Sequence, residues 1–216
     1  GQSTQEMTMQ EVVTRLRGPK NTGVDLTVLH ANSKKPVKMH LIRDAIPLVS
    51  VKSRRLEDGY YWVHVTRFSE KTTEELHEAL AKAEKESKPK GGLKGIVLDL
   101  RGNPGGLLKQ AVSVADTFLT KGTIVSIKGR SESMARTYSA SPEATDVHVP
   151  MVVLINAGSA SASEIVAGAL RDQKRAAIIG ERSFGKGSVQ NIIPLADGSA
   201  LKLTIALYYT PNGSSI

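Results

Sequence analysis

The chain has 216 residues, enough for one full domain or for one domain plus part of another. Its net charge of +8 is spread over short basic clusters (Lys34-Lys35, Lys52/Arg54/Arg55, Lys85/Lys88/Lys90) without interleaved aromatics, which read as solvated faces and argue against a nucleic-acid groove. There is no cysteine, which excludes disulfides, thiolate metal sites and a thiol nucleophile, and no apolar run reaches the ~18 residues that span a bilayer.

Residues 8–17 read as a short amphipathic helix, with Thr8 and Glu11 as a capping box and Gly18-Pro19 as its stop. Strands follow at Val24–Leu29 and Val37–Arg43, with Asn32-Ser33 at the turn. This unit is too small to bury a core unaided, so its other strands are expected to lie outside the chain. Pro47 marks a boundary. Beyond it come strands at 48–53 and 60–66, then a charged helix over 73–87 with Thr72 and Glu75 as its capping box. Gly95–Leu100 is a continuous apolar run, the kind of strand buried on both faces. A Gly-rich turn, Arg101-Gly-Asn-Pro-Gly-Gly106, leads into a helix over 107–119. Strands are expected at 123–127 and 150–155, with the polar stretch 128–149 as a long loop between them. A Ser-rich turn opens a helix over 161–171, and strands near 176–179, 188–193 and 200–209 complete the chain. Strand–helix alternation predicts an α/β core with the two Gly/Ser turns at the C-terminal ends of strands. No signal peptide is visible, and the abrupt start at Gly1 and stop at Ile216 read as a fragment.

The chemistry concentrates in Asn156-Ala-Gly-Ser-Ala-Ser-Ala-Ser-Glu164 and in Gly185-Lys186-Gly187. Ser161 stands where a strand turns into a helix, a junction that exposes a side chain and aims helix N–H groups at one point. It also makes a capping box with Glu164, so a purely structural N-cap is the competing reading, and Ser159 and Ser163 are rivals for either role. A serine hydroxyl needs a base. None of His30, His40, His64, His77 and His148 is well placed, whereas Lys186 between two glycines can turn inward, and burial disfavours a lysine's charged form. Gly180 to Lys186 imitates a phosphate-binding loop, but the next residue is Gly187, not Ser or Thr, and a strand follows, so nucleotide binding is not expected. Main-chain amides of the Gly102–Gly106 turn can donate to an oxyanion.

Together these residues resemble the carboxyl-terminal processing, or tail-specific, serine proteases. The resemblance runs through Leu98-Asp-Leu-Arg-Gly-Asn-Pro-Gly-Gly106, Gly158-Ser-Ala-Ser-Ala-Ser-Glu-Ile165, Gly180-Glu-Arg-Ser-Phe-Gly-Lys-Gly-Ser-Val-Gln190, Leu201–Ile205 and Tyr209–Gly213. It implies a crotonase-like α/β protease core over 48–216, truncated at its C-terminus, and over 1–47 the closing part of a PDZ domain, a peptide-tail binder. It also implies Ser161 as nucleophile, Lys186 as base 25 residues on, Gln190 as the group that orients the lysine, and an oxyanion hole from Gly105 or Gly106 with Ala162. No metal or cofactor is implied. The expected substrates are proteins or peptides with a free C-terminus, and the expected location is extracytoplasmic, in the periplasm or cell envelope, where the net charge is compatible with membrane-surface association. Two other classes stay open: a catalytically silent interaction fragment, and an acyl-CoA enzyme of the crotonase type, which would stabilise an enolate with paired amides and would not need Ser161 and Lys186 together.

Overall fold

The structure is a computed structural model that describes residues 2–31, 33, 35–45, 49–143 and 145–216. Asn32 of the expected turn and Pro47 of the expected boundary lie outside the described residues. The chain divides into two compact units, Gly1–Leu48 and Val49–Ile216.

In the first unit, helix α1 (Met9–Leu16) starts at the expected capping box: Thr8 N–H donates to Glu11 Oε2 at 2.8 Å and Glu11 N–H donates back to Thr8 Oγ1 at 3.3 Å. Strands β1 (Gly23–Val28) and β2 (Val37–Ile42) form an antiparallel hairpin. Arg43 staples helix to hairpin, donating to Leu16 O at 2.7 Å and Gly23 O at 2.8 Å. None of the described residues up to Asp44 and Ala45 is buried, as expected of a unit this small.

The second unit holds β3 (Val51–Glu57), β4 (Tyr60–Val65), α2 (Thr72–Ser87), β5 (Gly95–Asp99), α3 (Leu108–Asp116), β6 (Thr123–Gly129), β7 (Arg136–Ser139), β8 (Met151–Ile155), α4 (Ala162–Asp172), β9 (Ala177–Gly180), β10 (Ser188–Pro194) and β11 (Ala200–Tyr209). One sheet has the order β3-β4-β5-β8-β9; its first pair is antiparallel and the others are parallel. The second, β10-β11-β6-β7, is antiparallel throughout. Val63, Val65, Leu98 and Val153 send one face of the first sheet into a core shared with Leu76 of α2, Val114 of α3, Ile165 and Leu170 of α4, and Ile124 of β6. Helix α4 is buried along Ala162–Leu170, so the residue that opens it is held by the core. Among the described residues no helix is long and apolar enough to cross a membrane.

Two expectations need correction. The stretch 128–149 is not one loop: β6 runs on to Gly129, a 3-10 turn covers Glu132–Met134, and β7 pairs back on β6. The Thr72/Glu75 capping box does not form. The N-cap is Lys71, Thr72 Oγ1 donates to Ser50 Oγ, and Glu75 Oε2 takes the N–H groups of Ser50 and Val51 at 2.7 and 3.0 Å. The start of β3 presents donors that a local cap cannot outbid, so Glu75 ties α2 to the sheet.

Candidate active site

Parallel neighbours β5 and β8 end side by side, which sets the turn 100–107 against the turn 156–161. The two are stitched by side-chain and main-chain hydrogen bonds that leave little freedom. Ser159 Oγ donates to Leu100 O at 2.8 Å, Ala160 N–H to Asn103 O at 3.0 Å, Ser163 Oγ to Asn103 O at 2.9 Å and Gly102 N–H to Asn156 Oδ1 at 2.8 Å. Asn103 is fully buried and its amide reaches on to Val65 O at 2.8 Å. Upstream, the buried Asp99 carboxylate accepts from Arg101 N, Nε and Nη2 and from Trp62 Nε1 at 2.6–3.0 Å. Burial alone would raise the Asp99 carboxyl, but the Arg101 and Trp62 hydrogen bonds outweigh it and hold it below the ordinary aspartate value. This fixes the first residue of the turn.

The three serines have different environments. Ser159 and Ser163 are fully buried with their hydroxyls committed to main-chain carbonyls. Ser161 is half-buried at the N-cap of α4, with φ of 55° and ψ of −112°, a strained backbone for a residue with a Cβ. Strain at a strand-to-helix corner is what projects a side chain out of the chain path. Gly105 (φ 99°) packs against that corner, where an added Cβ would lie 2.8 Å from Ser161 Cβ and 2.7 Å from Ala160 O. Gly105 N–H is already bonded to Asn103 Oδ1 at 2.9 Å. The Gly106 and Ala162 N–H groups carry no main-chain partner among the described residues, the latter because the first amide of a helix has no acceptor within it.

Glu164 holds the second half of the site. Its carboxylate, 6% exposed, accepts Ser161 N–H at 2.7 Å and Lys186 N–H at 2.8 Å on Oε2, and Gly185 N–H at 2.6 Å and Ser183 Oγ at 2.7 Å on Oε1. Phe184 N–H adds a bond to Ser159 O at 3.0 Å. Residues 183–186 are therefore anchored one after another beside Ser161. From sequence, Glu164 reads only as a capping partner; an acidic residue on an otherwise apolar, buried helix was the signal for more.

Lys186 does not turn inward as expected. It is exposed, and among the described residues its ammonium shares no hydrogen bond with the Ser161 hydroxyl. The loop hangs on Glu164 by main-chain amides, which leaves the hydrated ammonium in solvent. Gln190 is not brought to Lys186 by a hydrogen bond either. It is exposed on β10, just past a bulge at Val189/Gln190 that shifts the register. The apparent phosphate loop runs into strand β10, not a helix. Of the histidines, His64 meets Arg101 O at 3.2 Å, His77 meets Thr117 Oγ1 at 3.0 Å and His40 pairs with Asp25 at 2.7 Å. Among the described residues no cluster of His, Asp and Glu could hold a metal ion.

The mixed α/β core thus presents a strained serine, two amides without a main-chain partner among the described residues, and a loop tied to the same carboxylate as that serine. Residues 59–216 match Peptidase family S41, and the chain belongs to that family. It is similar to the carboxy-terminal-processing protease of Bartonella bacilliformis, 48% identical over 216 residues that make up 100% of this chain and 49% of the relative. It is also similar to the carboxyl-terminal-processing protease of Synechocystis sp., 38% identical over 220 residues, 100% of this chain and 50% of the relative. The solved structure of a photosystem II D1 C-terminal processing protease superposes with a TM-score of 0.67 at 32% identity, covering 100% of this chain and 58% of that one. The chain thus spans about half the length of the curated relatives it matches.

Proposed function

We propose that this chain carries the catalytic core of a serine endopeptidase that cleaves proteins near their C-terminus through Ser161 and Lys186. The observation that supports this most is the Glu164 carboxylate, which receives the main-chain N–H of both residues and so ties nucleophile and base to one buried group. In the reaction, neutral Lys186 takes the Ser161 proton as Oγ attacks the peptide carbonyl. The oxyanion lies between the N–H groups of Ala162 and Gly106; the Asn103 bond to Gly105 N–H favours Gly106 over Gly105 as donor. The Lys186 ammonium then protonates the leaving amine, and neutral again, it activates water to release the acyl-enzyme. Its exposed side chain must first reach the Ser161 hydroxyl, and it does so by rotation about its own side-chain bonds, since Glu164 holds the main chain at Gly185 and Lys186. Gln190, which orients the lysine in this reading, follows it.

The same proposal takes 48–216 as a crotonase-like catalytic domain and 1–47 as the closing part of a PDZ domain. It extends the relatives' printed names to substrates with a free C-terminus and to an extracytoplasmic location. The test is digestion of an unstructured protein with an apolar C-terminal tail, read by mass spectrometry. Cleavage should occur with the parent and vanish in Ser161→Ala and Lys186→Ala while both variants stay folded. Substantial activity in either variant would overturn the dyad. The exposure of Lys186 favours a second reading, a catalytically silent interaction fragment, which predicts no cleavage by the parent.

A further inference from the structure

The loop that carries Lys186 displays an aromatic ring that the proposed reaction does not use. Ser183, Phe184, Gly185 and Lys186 are each pinned, the first and the last two to Glu164 and Phe184 N–H to Ser159 O. Yet Phe184 is 69% exposed. Its N–H bond to Ser159 O, two residues before Ser161, places this exposed apolar ring on the loop that flanks the nucleophile turn.

We infer that Phe184 forms an apolar subsite for the substrate residue that follows the scissile bond. This rests on the serine-endopeptidase reading. A bound peptide is extended, and its successive side chains point to opposite sides. With its carbonyl oxygen at the Gly106 and Ala162 amides, the bond to be broken lies over Ser161. The leaving amine must face the group that protonates it, so the leaving side of the peptide runs along the loop of Lys186. The first side chain on that side then meets the ring two residues before the base. Leu107, 47% exposed, lies on the other loop, next to Gly106, and is the competing contact.

The test works whichever bond is cleaved. A single leucine is moved along an alanine-rich peptide, and binding to the 216-residue Ser161→Ala chain is read by fluorescence anisotropy. One position should bind about tenfold tighter, the order of magnitude for partial burial of a leucine side chain. Phe184→Ala should erase that gain and leave the all-alanine peptide unchanged, and Phe184→Leu should restore part of it. A flat scan, a gain that survives Phe184→Ala but not Leu107→Ala, or equal weakening of every peptide would overturn the subsite. Product mapping with the parent chain should place the sensitive position directly after the cleaved bond; any other position overturns the assignment. Cleavage that is abolished in Ser161→Ala, together with a flat scan, removes only the subsite. Cleavage that survives Ser161→Ala removes the reading on which it rests.

Discussion

Replacing Glu164 probes the clamp that joins the two halves of the site. Its carboxylate receives four donors, two on each oxygen. In Glu164→Gln one acceptor becomes an NH2 group. Turned toward Oε1, that group faces the Ser183 hydroxyl, which can rotate and accept, and the Gly185 N–H, which cannot. Turned toward Oε2, it would orphan the amides of both Ser161 and Lys186, so the first orientation is favoured. One buried donor left unsatisfied costs about 1–3 kcal/mol, and bonds to a charged acceptor exceed neutral ones by about 1 kcal/mol, which gives about 2–4 kcal/mol of lost stability. Glu164→Ala removes the acceptor for all four donors; with water partly replacing it, the loss is about 3–5 kcal/mol. Turnover should fall further than stability implies, because a ~1 Å shift of reacting groups costs on the order of 100-fold. Urea unfolding and kcat/KM on an unstructured protein, both at neutral pH, measure the two effects. If both variants unfold within about 0.5 kcal/mol of the parent, the range of an ordinary surface change, and cleave at the parental rate, the clamp is refuted.

Other perturbations separate structure from chemistry. Gly105→Ala places a methyl against Ser161 Cβ and Ala160 O at a φ of 99°, so it should cut kcat/KM by on the order of 100-fold and destabilise by about 1–3 kcal/mol. Ser159→Ala breaks the Leu100 and Asn156 bonds and should cost about 1–3 kcal/mol by denaturant midpoint while kcat changes little, since Ser161 keeps its own tether to Glu164. Asp99 has a folded pKa below its unfolded value, so its stabilising contribution is fully present above the unfolded pKa of about 4 and is lost as pH falls through the folded value. Urea midpoints followed downward from neutral pH should therefore fall less steeply in acid for Asp99→Asn than for the parent. Gln190→Ala should slow turnover less than Lys186→Ala does; an unchanged rate would remove its orienting role.

The elements that carry the site were legible because their sequence patterns agree with their tertiary setting. Gly95–Asp99 is an apolar run and is a strand flanked by strands on both sides, and the glycines after it sit where positive φ is needed. What stayed hidden depends on distant partners. Strand β7, Arg136-Thr-Tyr-Ser139, is four largely exposed polar residues at a sheet edge and offers no alternation to read. Thr8/Glu11 and Thr72/Glu75 share one local pattern. The first forms its box at an exposed helix end, and the second loses it to Ser50 and Val51 amides 24 and 25 residues away. Ser161/Glu164 shows both outcomes: Ser161 N–H meets Glu164 as a box predicts, while the remaining contacts of that carboxylate come from a loop about 20 residues on. The same loop explains why the Lys186 side chain is exposed and not turned inward, because pattern can place glycines around Lys186 but cannot show that the core holds its main chain.

Trapping the acyl-enzyme reaches the central claim most directly. The chain is mixed with an activated peptide ester, quenched in acid, and its mass adduct is mapped by peptide fragmentation. An adduct on Ser161 that is present in the parent and missing in Lys186→Ala is the predicted result. An adduct on another serine, or one on Ser161 that forms equally without Lys186, would contradict the Ser161/Lys186 assignment.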